Sequence, residues 1–154
     1  MLRVSICVLS LAGLADALYF TLAYYGRVRK ARWVPRILCA REGSSCVTVL
    51  QTPYARVFGV PNSLLGIVYY LLLLAGVRTN WSFGTDSCVV VAHFAIPLGL
   101  ALVIPVSAGT TALGFYLIYA LRCKLHVDCP LCYTAHGINL VLFVLLVACC
   151  RAVL

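Results

Sequence analysis

Charge is scarce in this sequence. Only 10% of its 154 residues are Asp, Glu, Lys or Arg, against about 25% in an ordinary soluble domain. Acids are scarcest, four against twelve Lys and Arg. With a hydrophobic fraction of 64%, that shortage excludes a disordered chain, a fibrous one and a typical water-soluble enzyme. Glycine and proline, 11 and 6 residues, are scattered without period, which excludes a collagen-like repeat. There is no internal repeat and no low-complexity segment, and the length fits a single domain over residues 1–154. The net charge of +8 would suggest nucleic acid in a soluble protein. In a chain this apolar the cations report instead on the side of a bilayer they occupy, and no nucleic-acid partner is expected.

What the sequence has is long apolar runs and nine cysteines. About 20 apolar residues cross about 30 Å of hydrocarbon. Residues 4–25 form the first such run, ended by Gly26 and Arg27, with Tyr24 and Tyr25 suited to the membrane interface. A polar segment, 26–61, follows. In it Ser44-Ser45 before Cys46 signals a helix start and Pro53 a stop, so a short surface helix is expected near 45–52. Asn62-Ser63 is the next N-cap signal and opens a second span, 63–77, closed by Arg78. Residues 79–86 read as a short polar loop containing an Asn80-Trp81-Ser82 sequon. The 35 residues 87–121 would make a helix of roughly 52 Å, long for one span and short for two. Pro97, Pro105 and Ser107 to Thr111 interrupt them, leaving a kinked long helix, a surface helix plus one span, or a tight hairpin. The last span covers 129–150, closed by Arg151. The fold expected is an all-α integral membrane protein, a four-transmembrane-helix bundle with a short surface helix after the first loop.

Cys129-Pro130-Leu131-Cys132 stands at the start of that last helix. A helix N-terminus favours the thiolate, the form that attacks a disulfide or an electron-poor ring. A redox pair is the first reading. The alternatives are a zinc-like set of Cys129, Cys132, His126 and His136, or two structural thiols. Cys39 and Cys46, in the polar segment, are a weak signal alone and a sensible second redox couple beside a C-x-x-C. A loop pair can meet soluble partners, whereas a helix-start pair at the membrane edge can meet a lipid-soluble oxidant. Cys7, Cys149 and Cys150 lie in apolar spans as small hydrophobes. Cys88 and Cys123 have no partner at a suggestive spacing, though Cys123 lies close to the C-x-x-C. Asp16, in the middle of the first span, should face the bundle interior or water. There it serves either proton transfer or as a neutral acid hydrogen-bonded to a neighbouring helix.

In these residues the chain resembles the vitamin K epoxide reductase family, in its prokaryotic, disulfide-forming branch. The resemblance rests on the loop pair Cys39 and Cys46, Thr52 six positions on, Asn62-Ser63 at a span start, and the C-x-x-C followed by Ile138-Asn139. It implies a membrane thiol:quinone oxidoreductase that relays electrons. Cys39 and Cys46 would take them from a thioredoxin-like partner, expected to be a separate protein. Cys46 would exchange with Cys129, and Cys132 would act on the quinone, a menaquinone, a ubiquinone or a related type. Asn62 resembles the family asparagine that hydrogen-bonds a quinone oxygen; plain N-capping is its other reading. Where the family often has a tyrosine four positions after the second active cysteine, this chain has His136. A histidine can still donate a hydrogen bond, and a simple quinone becomes the expected substrate. Reduction of vitamin K epoxide or quinone as the physiological direction is the alternative. The resemblance gives Asp16 no role.

A relay needs both cysteine pairs on one membrane face, so 87–121 must supply one crossing, expected over 104–122. The cysteine face then carries Arg27, Arg29, Lys30, Arg32, Arg36, Arg41, Arg56, Arg122 and Lys124, and the opposite face Arg3, Arg78 and Arg151. Positive residues mark the cytoplasm. The expectation is therefore a multi-pass cell-membrane protein with its active cysteines facing the cytoplasm, an arrangement suited to organisms that keep disulfides there.

Overall fold

The computed structural model describes residues 2–27, 49, 52–57, 59–79, 88–91 and 94–153. Cys39, Cys46, most of the expected surface helix and the sequon lie outside the described residues. In order, the chain forms α1 (Leu2–Tyr24), a 3-10 turn (Pro53–Ala55), β1 (Arg56–Val57), β2 (Val60–Pro61), α2 (Asn62–Arg78), β3 (Cys88–Val91), β4 (Phe94–Pro97), α3 (Leu98–Tyr119), a π-helical turn (Ala120–Leu125) and α4 (Pro130–Val153).

Among the described residues three segments are long and apolar enough to cross a membrane: Leu2–Tyr24, Leu98–Leu125 and Pro130–Cys150. α2 is a shorter apolar helix of 17 residues. The helices are apolar on their outward faces as well. Val4, Val8, Leu11, Val68, Leu71, Leu102, Val106, Val141 and Val144 are all exposed, the pattern of helices whose solvent is lipid.

α1 ends where Gly26 predicts. Gly26 takes φ +69°, its N–H donates to the Ala23 carbonyl, and the Arg27 N–H reaches back to Leu22. This pair of bonds is a Schellman cap, which a glycine closes without a Cβ clash.

α2 starts differently from the sequence reading. Pro61 holds the N-cap position and no side chain caps the helix. The β1–β2 ribbon, in register Arg56↔Pro61 and Val57↔Val60, folds the chain back. The Asn62 Nδ2 then donates to the Tyr54 carbonyl at 2.9 Å. Asn62 is thus a tie to the preceding turn and not a cap. Pro53 likewise opens a turn, at N1 of the 3-10 segment, where a missing N–H costs nothing.

Residues 87–121 hold most of one candidate span, but follow none of the three helical routes. Their first part is an antiparallel ribbon, Cys88↔Pro97 to Val91↔Phe94, rich in β-branched valine. The candidate span then runs from Leu98 to Leu125 and begins six residues before the expected 104. Pro105 lies inside α3 without ending it, as membrane helices tolerate. At 28 residues the segment is roughly 42 Å long, so it tilts or emerges from the hydrocarbon.

α1 packs on α2 and α4, and α3 packs on α4. One core gathers Ile6, Ala17, Tyr69, Tyr70, Leu73, Leu100, Val103, Leu142 and Leu146. A second cluster, Phe20, Leu121, Cys129 and Cys132, sits at the head of α4. The polar groups inside are mostly satisfied locally: the Tyr69 hydroxyl and Ser107 Oγ share a hydrogen bond at 2.8 Å, and Thr110 and Thr111 donate back to the Ser107 carbonyl.

Candidate functional site

The head of α4 is built by its own sequence. Pro130 occupies the first helical position, which leaves Cys129 at the cap. The Cys132 N–H donates to the Cys129 sulfur at 3.3 Å, the bond an N-cap side chain makes to the third helical residue. Cys129 and Cys132 form a disulfide. Cys129 is 0% exposed and Cys132 9%. The connection ahead of them is a sharp reversal, with His126 in the left-handed region at φ 50°. Arg122 lies over the Tyr133 ring at 5.5 Å, and Tyr133 donates to Asp128 at 3.1 Å, so a cation stands beside the cysteine turn.

Below the disulfide is a cavity of about 220 Å³ lined by α1, α2, α3 and α4. Each helix lines it with one face at i, i+3, i+4 and i+7. These stripes are Gly13, Asp16, Ala17 and Phe20 on α1; Asn62, Leu65, Gly66 and Tyr69 on α2; Thr110, Leu113, Gly114 and Leu117 on α3; and Cys132, Ala135, His136 and Asn139 on α4. Cys132 is in the wall and Cys129 is not. His136 and Asn139 lie four and seven residues further along α4, about 6 and 10 Å deeper.

Small residues make the room. A Cβ on Gly13 would overlap the Tyr70 ring, and one on Gly114 would come within 2.9 Å of the His136 Nδ1. At the floor the Tyr70 hydroxyl donates to the Asn139 Oδ1 at 2.7 Å. Higher up, Asn62 Oδ1, Ser63 Oγ and His136 Nδ1 are buried without a hydrogen-bond partner among the described residues. An unpaired buried polar atom costs about 1–3 kcal/mol. Ser63 and His136 can donate to a ring carbonyl, and Asn62 Oδ1, which only accepts, can take a ring hydroxyl, so the three fit an apolar ring bearing oxygens in its quinone and hydroquinone forms.

The structure thus brings together Cys129, Cys132, Asn62 and His136. Cys39 and Cys46 fall outside the described residues. Among the described residues no three His, Cys, Asp or Glu side chains gather to hold a metal ion, and the disulfide engages both thiols of the zinc-like set. Asp16 faces the cavity and makes no hydrogen bond to a described residue on a neighbouring helix. Sequence reasoning missed Tyr70, Ser63 and Thr110 as parts of the wall. Thr110 lies on the α3 stripe, and Ser63 and Tyr70 each follow a residue of the α2 stripe by one position, a pattern that a uniformly apolar span conceals. Asn139 was legible only as part of a motif.

The sequence matches the vitamin K epoxide reductase family over residues 4–147. No curated protein matches the chain. With the family match covering nearly all of it, the chain belongs to the vitamin K epoxide reductase family of membrane thiol/quinone oxidoreductases.

Proposed function

We propose that this protein generates disulfides in a thioredoxin-like partner and passes the electrons through Cys39 and Cys46 to Cys129 and Cys132, and from there to a quinone. The observation that carries the reading is Cys132: it is disulfide-bonded to Cys129 and stands in the wall of a cavity where three lining polar atoms have no hydrogen-bond partner among the described residues. The quinone supplies a two-electron, two-proton acceptor; the chain supplies everything else. A Cys46 thiolate attacks the Cys129 sulfur, forms the Cys46–Cys129 disulfide and releases Cys132 as a thiolate into the cavity. Cys39 then attacks Cys46, which re-forms the loop disulfide and frees Cys129. His136 and the second N–H of the Asn62 amide donate to the ring oxygens, and the apolar walls exclude water from the thiolate. Tyr70, tied to Asn139, fixes the floor.

The test is quinone reduction by purified protein with dithiothreitol as donor. Asn62→Ala and His136→Ala are each expected to raise the KM for menaquinone about tenfold, the loss of one hydrogen bond, while kcat changes less. Vitamin K epoxide supplied in place of the quinone distinguishes the opposite physiological direction, in which quinone is the product that matters.

In this reading α2 is the fourth crossing, since 17 residues is the short end of what a span requires. The cations then set the orientation. Nine lie on the cysteine face and three on the other, which puts the cysteines in the cytoplasm and both termini outside. Reporter fusions are expected to place the C-terminus outside the cell; a cytoplasmic C-terminus contradicts the orientation.

A further inference from the structure

Asp16 is the only Asp or Glu in the membrane helices, and the relay as described gives it nothing to do. A charge inside a membrane helix is expensive and marks a site by default. Asp16 is half-buried and lines the cavity that also holds Cys132. No described Lys or Arg pairs with it.

Its depth follows from two residue pairs. Phe20 on α1 and Cys132 on α4 belong to one buried cluster and line the same cavity. Seven residues further from the cysteine face on each helix, Gly13 lies against Tyr70 and Tyr70 bonds to Asn139. Asp16 and His136 are each four residues from the upper pair, one helical turn, so they share a level between the disulfide and the floor. The titratable groups sharing the cavity with Asp16 are Tyr54, Tyr69 and Tyr70, His136 and Cys132, and Tyr19 is close enough to feel its charge. None of these is a fixed cation that could pair with a carboxylate.

We propose that Asp16 is the proton donor to the quinone. The inference rests on the quinone site proposed above. Two electrons leave the sulfurs as the Cys132 thiolate and the Cys129 thiol become the disulfide. Asp16 gives its proton to one ring oxygen, and the Cys129 thiol proton goes to the other. The product is hydroquinone, and Asp16 is left as carboxylate. Asp16 then takes up the proton released when the thiol that opened the Cys129–Cys132 disulfide ionised, so dithiol plus quinone yields disulfide plus hydroquinone.

The test follows single-turnover hydroquinone formation by dithiothreitol-reduced wild-type, Asp16→Asn and Asp16→Glu protein in detergent, with a short-chain menaquinone. The infrared carboxylic-acid band of each protein is recorded beside it. Asp16→Asn is expected to slow hydroquinone formation about 100-fold, the range of a lost general acid, while binding menaquinone as wild type does. Asp16→Glu is expected to restore most of the rate. At neutral pH exposed carboxyls are ionised, so a protonated band should be present in wild type, shifted in Asp16→Glu and absent in Asp16→Asn. Undiminished turnover in Asp16→Asn, no rescue by Asp16→Glu, or no protonated band in wild type overturns the role of Asp16 alone. Should the Asn variant fail to fold, the Glu variant and the wild-type band still decide. Wild-type protein that makes no hydroquinone overturns the quinone site and the Asp16 role together.

Discussion

Cys132→Ala is expected to lose quinone reduction at least about 10³-fold, the scale on which removing a reacting nucleophile acts, whether the electrons come from dithiothreitol or from a protein partner. The reason is positional. Cys132 lines the cavity and Cys129 does not, so alanine leaves no sulfur facing the ring. The buried atoms of Asn62, Ser63 and His136 are untouched by the change, so menaquinone should still bind. The measurement is anaerobic loss of quinone absorbance, with binding followed in parallel. Near wild-type turnover would remove Cys132 from the reaction; lost binding would make the residue a wall rather than a reactant.

Cys39→Ala should separate the two donors. A thioredoxin-like protein is too large to reach sulfurs that are 0% and 9% exposed, so its electrons must arrive through an intramolecular thiol. Removing that thiol forfeits the proximity of an intramolecular step, and partner oxidation is expected to fall about 100-fold or more. Dithiothreitol is small enough to enter the cavity and meet the pair directly, so turnover with it should remain largely intact. Gel-shift detection of partner disulfides beside the absorbance assay reads both. Equal survival of the two activities contradicts a shuttle role for Cys39.

The parts of the fold that were legible are those where one physical signal dominates. Length and apolarity marked α1 and α4 to within a few residues, and Gly26 marked the end of α1 because a left-handed cap needs it. The same signal failed over 87–121. A valine-rich run satisfies a β-ribbon as well as a buried helix, and Pro105, a breaker in water, is carried inside α3. Asn62 looked like a cap because Asn at a helix start usually is one. The β1–β2 ribbon set Pro61 at the cap instead and turned the Asn62 amide to Tyr54.

For the site, spacing alone marked the cysteine pair at the head of α4, and resemblance added Asn62 and His136. The remaining wall depends on which face of each helix turns inward. A span apolar on every face does not encode that in its pattern. Only packing showed that Asp16, Tyr70 and Asn139 look into the same space as Cys132. His126, Cys129, Cys132 and His136 are close in sequence, but His126 is an exposed turn residue in the left-handed region, whereas His136 lies a full turn down α4.

The central claim is that the electrons of the Cys129/Cys132 dithiol end on the quinone. It is tested by mixing dithiol-reduced, reductant-free protein anaerobically with one equivalent of menaquinone. Hydroquinone is quantified by absorbance and the Cys129–Cys132 disulfide by mass spectrometry of the peptide that contains it. The account predicts equal amounts of the two, appearing at the same rate. Hydroquinone formed while Cys129 and Cys132 stay reduced, or a disulfide formed with no hydroquinone, would contradict it.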